Sequence, residues 1–394
     1  MTDVRSIDLF HVLVPLRKSI KHASFERASS DNLIVRVTLR DGTVGHGEGL
    51  PRPYVTGETI DSTFASLVKL DLPRTLEDVA GLESLVRRLV GFVLPEAQAD
   101  PRGMAGNAAR CALELALLDA FARREGRSVG EAIPWMGSFG EMLNARPGPV
   151  RYSGAITAES PGKEIRSALK MRIYGFAQVK VKVGVPGQDD PARLARLRRI
   201  LGRGMDIRID ANEAWSAGEV VERVRPLLPS RPSVLEQPVP HEEAEALATL
   251  RPMLGVPVML DESLCGYPDA KRAVALGTAD LLNVRLSKCG GIGPSLKIMD
   301  LARRSGLGVQ LGCHPGETGL LSAAGRQVAC RVRGIRFLEG SYDRHVLARN
   351  LIREDITFGY GGRARPLPGV GLGVNVDPDA LAALTVAHRE VRYD

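Results

Sequence analysis

Three carboxylates recur at nearly even spacing, Asp210 in Asp210-Ala211-Asn212, Glu236 in Glu236-Gln237-Pro238 and Asp261 in Asp261-Glu262-Ser263. Each ends a short β-rich run. If successive runs are neighbouring parallel strands, the three acids converge, and converging carboxylates repel one another unless a cation lies between them. Hard oxygen donors select Mg²⁺, with Mn²⁺ as the alternative, over zinc. Lys180 and Lys182 alternate on an earlier run, so both face one side of its sheet. A lysine beside another cation is driven toward its neutral form and serves as a base near neutral pH. Arg285, Lys288 and Glu339 stand at later positions of the same series. A lysine base near a carboxylate-held cation is the chemistry these types and spacings offer.

The elements that must position these groups alternate regularly. Eight β-rich runs (Tyr152–Thr157, Ala177–Gly184, Asp206–Asp210, Ser233–Glu236, Pro257–Asp261, Leu281–Leu286, Gly308–Gly312 and Ile335–Glu339) are each, except the last, followed by a helix-like stretch such as Pro191–Leu201. Such alternation is most economically a parallel α/β barrel, whose chemistry lies at the C-terminal strand ends. An open doubly wound sheet is the rival, but no GxGxxG follows the first strand. Ahead of the barrel, Ser6–Leu13 and Asn32–Leu39 read as strands, and Asp41-Gly42 turns into Thr43–Gly47. Arg17–Ser30 and Gly49–Gly57 read as mobile loops. Residues 59–130 read mostly as helix, most clearly Asn107–Arg123. The tail has a strand-like Gly371–Val376 and a helix-like Pro378–Ala387.

With 394 residues, 44% apolar and 25% charged, the chain is long enough for two or three domains and is not disordered or fibrous. Its net charge of +7 is scattered among acidic residues, and aromatics make up only 5%, so a nucleic-acid partner is not expected. Five cysteines without a CxxC pair suit a reducing compartment. No signal-like segment or 18-residue apolar run occurs, so a cytoplasmic protein without a membrane partner is expected.

The ordered motifs VKVKVG, DANEAW, LEQPV, LDES and NVRLSKCGGI resemble those of the enolase superfamily. More narrowly they are similar to the muconate-lactonizing-enzyme subgroup, which includes muconate cycloisomerases, o-succinylbenzoate synthases, N-succinylamino acid racemases and dipeptide epimerases. RPYVTGET (52–59) resembles its capping-domain loop, ARCALELALLD (109–119) its domain-joining helix and PGVGLGVNVD (368–377) its C-terminal signature. The resemblance implies an α/β fold, a modified (β/α)₈ TIM barrel with an α+β capping domain. The cap would be 1–148, the barrel 149–364, and the tail 365–394 would return to the cap. It further implies Asp210, Glu236 and Asp261 as Mg²⁺ ligands, Lys182 as the acid/base and Lys180 as its tuning neighbour. The substrate would be a small carboxylate deprotonated to an enediolate, and the protein a homo-oligomer.

One departure matters. The family's second acid/base lysine falls on Arg285, whose guanidinium stays protonated and is a poor base. Lys288 lies three residues on, an odd offset that puts it on the opposite side of an extended strand. A lone base on Lys182 favours syn β-elimination or cycloisomerisation, with Arg285 stabilising charge. A racemase or epimerase would need Arg285 or His314 as the other base; alternation places Cys313 and Pro315, rather than His314, at the mouth. A non-catalytic carboxylate-binding homologue is the remaining alternative. Leu338-Glu339-Gly340 stands where dipeptide epimerases carry an Asp-x-Asp, which speaks against a standard dipeptide substrate; Glu339, spaced from Arg285 like the glutamate of muconate cycloisomerases, would pair with Arg285. Asn212, Lys21 and His314 are candidate substrate contacts, and Lys18, His22 and Arg27 in the capping loop would suit an acidic or acyl-bearing substrate.

Overall fold

The computed structural model describes residues 3–21, 26–157 and 160–393, without the side chains of residues 20, 21 and 26. The N-terminal sheet contains β1 (Val4–Lys21), β2 (Glu26–Leu39) and β3 (Val44–Gly49), all antiparallel. Of Arg17–Ser30, expected as a loop, the described residues 17–21 and 26–30 instead extend the β1–β2 hairpin, with Ile20 opposite Arg27 and Lys21 opposite Glu26. Both sides of this arm are polar, so its sequence lacks the alternation that marks a half-buried strand. Lys18 is exposed on it, while His22 and the Lys21 side chain lie outside the described residues. Gly49–Gly57 is also better anchored than expected. Leu50 and Arg52 are buried, the Leu50 amide donates to Ser287 Oγ at 2.8 Å, and Pro53–Thr56 forms one helical turn.

The helix Asn107–Arg124 packs on β3 because both surfaces are stripped of side chains. Gly45, Gly47 and Gly49 face Ala120, Ala112 and Ala108, where a Cβ on any of the three glycines would come within 2.4 Å of helix backbone. The helix is buried along nearly its whole length, the polar side chains of Asn107, Arg110, Glu114 and Asp119 included, as expected for an element sandwiched between two units.

After β4 (Val150–Arg151), the barrel strands are β5 (Gly154–Ile156), β6 (Gln178–Lys182), β7 (Asp206–Asp210), β8 (Leu235–Glu236), β9 (Val258–Leu260), β10 (Leu281–Val284), β11 (Gly308–Leu311) and β12 (Ile335–Leu338). They form one parallel sheet in sequence order, each within the run read from the sequence. The ends of the sheet meet through the Ser153 amide on the Leu338 carbonyl at 2.8 Å and Tyr342 Oη on the Ser153 carbonyl at 2.8 Å. Val234, Met259, Leu281 and Phe337 form a separate small buried apolar cluster contributed by the barrel strands.

β13 (Arg363–Ala364) pairs with β4, and the tail then departs from expectation twice. Gly371–Val376 makes only isolated bridges, and the helix begun at Pro378 ends at Leu384. Thr385–Arg392 becomes β14, antiparallel to β1. Its apolar residues are too few to distinguish a two-residue from a 3.6-residue period, and pairing with β1 decides the conformation. Among the described residues no helix is long and apolar enough to cross a membrane.

Candidate active site

The strand ends bring most of the sequence-selected residues together. In register, Lys182 lies opposite Asp210 and Asp210 opposite Glu236, with Asp261 one residue beyond β9. Gln237 braces the last two: its side-chain oxygen accepts the Asp261 amide at 2.9 Å and the Ser263 amide at 3.2 Å. Asn212 sits at φ 42° just past β7. Its amide donates to Asp210 Oδ1 at 3.1 Å and its Nδ2 to Glu262 Oε1 at 3.3 Å, so it orients acids at the mouth.

Lys180 and Lys182 face the same side, as alternation requires, but their surroundings differ. Lys180 Nζ lies 2.9 Å from Glu339 Oε1, 3.2 Å from Asp210 Oδ2 and 3.6 Å from Glu236 Oε1. Burial opposes its charge, yet Glu236, Glu339 and Asp210 outweigh that and hold its pKa well above the ordinary lysine value. Lys180 is therefore a fixed cation. Lys182 Nζ, two residues closer to the mouth, has no hydrogen-bond or ion-pair partner among the described residues.

Glu339 does not pair with Arg285. It bridges Lys180 and Arg208, a fully buried arginine on β7 whose Nη1 reaches Ser153 Oγ at 3.0 Å and whose guanidinium lies 4.8 Å from the Phe337 ring. Burial works against its ionisation, but Lys180 and Arg208 depress its pKa to about 2. Arg208 was not singled out from the sequence. Its position two residues before Asp210, and so on the same strand face, was the available signal.

Arg285 instead ion-pairs with Asp261 and lies 4.0 Å from Glu236 Oε1. Gly312 makes room for it: a Cβ there would meet Arg285 Cγ at 3.2 Å and Asn283 Oδ1 at 2.3 Å. Lys288 corrects the alternation argument. Extended backbone stops at Val284 and 286–290 form a turn, so Lys288 Nζ reaches Asp261 Oδ1 and the Asp261 carbonyl, each at 2.6 Å. With the Asn283 carbonyl at 3.1 Å as well, it is a buried cation with three acceptors. Arg285 and Lys288 outweigh burial and depress the Asp261 pKa.

Glu236 shows what the cluster lacks. Its Oε1 accepts Asn283 Nδ2 at 2.8 Å, while its buried Oε2 has no partner among the described residues. Burial, countered by Lys180 and reinforced by Asp210, pushes its pKa well up. A buried carboxylate oxygen without a donor, beside two further carboxylates, fits a hard divalent cation. His314 is 4% exposed, with its Nδ1 unpartnered. Burial and the surrounding Arg285, Arg52, Lys288 and Arg27 hold its pKa well below the usual imidazole value. Arg27 reaches from β2 to the Pro315 carbonyl at 2.9 Å.

This capped barrel with acids on three successive strand ends defines a class, and comparison with known proteins identifies it. Residues 163–380 match the family described as enolase C-terminal domain-like, and residues 4–133 the N-terminal domain of the mandelate racemase / muconate lactonizing enzyme family. The chain belongs to this family within the enolase superfamily. It is 28% identical to muconate cycloisomerase 1 of Rhodococcus opacus, over 98% of this chain and 100% of that one. It is 30% identical to the L-Lys-D/L-Arg epimerase of Methylococcus capsulatus, over 93% and 96% of the two chains. The crystal structure of N-succinyl Arg/Lys racemase from Bacillus cereus superposes with a TM-score of 0.83 at 25% identity, covering 99% of this chain and 100% of that one. As a member of this family, with isomerases, racemases and epimerases among its relatives, the chain is an enzyme.

Proposed function

We propose that the protein removes the α-proton of a small carboxylate substrate in a Mg²⁺-dependent reaction, with Lys182 as the single acid/base and a syn elimination or cycloisomerisation as the outcome. The observation that carries this reading is the asymmetry of the mouth. Lys182 is the amine without an acceptor among the described residues, whereas the position that would serve the opposite face is Arg285, ion-paired to Asp261. Asp210, Glu236 and Asp261 would hold the cation, which when bound supplies positive charge where the substrate carboxylate gains negative charge. Lys180 adds a fixed positive charge two residues before Lys182 on the same strand face. Glu339, held by Lys180 and Arg208, stays ionised at neutral pH and acts as their anchor rather than as a proton donor.

The named relatives include racemases and epimerases, which exchange protons on two faces. Arg285 is a poor second base because its charge is fixed by Asp261. His314 is a weak one because four cations oppose its protonation. A panel of N-acyl amino acids, dipeptides, hydroxy acids and muconates, incubated with the protein and Mg²⁺ in D₂O and followed by mass spectrometry and chiral chromatography, tests the proposal. Loss of water, ring closure, or deuterium uptake with retained configuration is expected. Inversion with deuterium incorporated overturns it in favour of a two-base racemase.

A further inference from the structure

Behind the β11 and β12 ends, one hydroxyl stands between two acids. Ser322 Oγ, on the helix Gly319–Arg331, lies 2.8 Å from Asp343 Oδ1 and 3.1 Å from Glu317 Oε1. A serine hydroxyl has one proton to donate, so it cannot satisfy two ionised carboxylates at once. The remaining oxygens are already engaged: Glu317 Oε2 accepts the His314 amide at 3.0 Å and Asp343 Oδ2 accepts Asn350 Nδ2 at 3.1 Å. The shorter contact marks the charged acceptor, since hydrogen bonds to an ionised oxygen are shorter than those between neutral groups.

We propose that Glu317, Ser322 and Asp343 form a one-proton latch, in which the neutral Glu317 carboxyl donates to Ser322 Oγ and Ser322 donates to the Asp343 carboxylate. The latch ties the loop after β11, which carries Cys313 and His314, to the segment after β12, which carries Ser341 and Tyr342. Both segments directly follow barrel strand ends. Glu317 and Ser322 also line a cavity of about 10 Å³ shared with Tyr152, Gly340 and Glu339, which puts the latch directly behind the candidate site. The groups facing the pair are Glu48 from β3, Arg326 from the Ser322 helix, Asn350, and Tyr152, Cys313 and Glu339 from the strand ends. Burial raises the Asp343 pKa, and the hydrogen bonds from Ser322 and Asn350 and the Arg326 charge oppose that rise. Burial, together with the Glu48 and Asp343 charges, pushes the Glu317 pKa well up. Ionising the second acid puts two negative charges on one hydroxyl and opens the latch.

The test is infrared spectroscopy of the full chain at neutral pH, with and without ¹³C at the glutamate side-chain carboxyls. The difference between wild type and Glu317→Gln is expected to contain one carbonyl stretch of a protonated carboxylic acid, and that stretch should move with the glutamate label. No such stretch, or one that ignores the label and so belongs to an aspartate, overturns the assignment. If Glu317→Gln does not fold, Ser322→Ala removes the acceptor and should shift the same glutamate stretch; an unshifted stretch overturns the latch. Neither readout needs a substrate or a metal, so the latch and the proposed reaction fail independently.

Discussion

Lys180 Nζ and Glu339 Oε1 stand 2.9 Å apart and join the second strand of the barrel to the eighth across its interior. Glu339 is also held by Arg208 from the third strand, while Lys180 touches Asp210 and Glu236. The floor of the candidate site is thus one connected set of charges, in which each cation has a carboxylate and Glu236 Oε2 is buried without a donor among the described residues. Lys182 stands above this set with no partner among the described residues. The contrast between the two lysines of one strand, one held by three carboxylates and one without an acceptor among the described residues, is the basis of the reactivity proposed here.

Replacing Lys182 with Met should therefore remove proton transfer and leave cation binding intact. A positioned general base contributes about 10²–10⁴-fold. The deuterium uptake of whichever panel member reacts should fall by that factor, while Mn²⁺ titration followed by electron paramagnetic resonance is unchanged. Residual exchange near the wild-type rate would mean that another group accepts the proton.

Glu236→Gln should separate the cation from the base. The change keeps the shape of the side chain and removes a buried charge that has one unpartnered oxygen. Loss of a supporting group beside a metal ligand typically costs about 10–100-fold in affinity, and loss of a ligand should cost at least that. Mn²⁺ titration of the purified chain measures it without any substrate. Unchanged affinity would place the cation elsewhere, for example at the half-exposed Glu213, His241 and Glu242 cluster.

Most of the site was legible because it depends on two simple periods. Strand alternation put Lys180 and Lys182 on one side, and near-even spacing put Asp210, Glu236 and Asp261 at successive strand ends. Reading failed where those periods stop. Lys288 lies in a turn, so an odd offset says nothing about its side; Arg285 chose Asp261 over Glu339 because Glu339 was already bound by Arg208. The β1–β2 arm and β14 have few apolar residues to alternate, and their conformation comes from partners distant in sequence. Gly45, Gly47 and Gly49 opposite alanines spaced four apart did carry a signal, a bare strand face matched to a bare helix face.

That match gives a stability prediction. Gly47→Ala would set a methyl 2.1 Å from the Ala112 carbonyl, and backbone rather than a mobile side chain would have to yield. Overpacking of this kind costs about 1–3 kcal/mol. Thermal unfolding should show the loss, whereas Gly42→Ala offers a control in open space whose cost comes only from its left-handed backbone.

The anchored loop after β3 should titrate. Glu58 is buried and accepts the Ala108 amide at 3.0 Å at the start of the joining helix; burial raises its pKa from 4.5 to about 7. The folded chain then binds more protons than the unfolded chain between about pH 4.5 and 7, so the contribution of this group to stability is present below that window and lost as pH rises through it. Glu58→Gln, whose amide oxygen still accepts from Ala108, should flatten the fall in unfolding temperature across that window. A fall of equal size in the variant would assign it to other groups.

The most direct test of the single-base reading is to supply the second amine. Arg285→Lys replaces a fixed guanidinium with a group able to lose its proton, on the side of the mouth opposite Lys182. Gly312 leaves the space in which the shorter side chain can settle, while Lys288 keeps its own contact with Asp261 and so preserves charge on that carboxylate. The variant should gain inversion with deuterium incorporated, on a substrate whose α-carbon is stereogenic, where the wild type shows exchange with retention or elimination. Chiral chromatography of the products in D₂O measures this. Inversion at equal rates in wild type and variant would show that Arg285 does not limit the second face and that the opposite proton comes from another group.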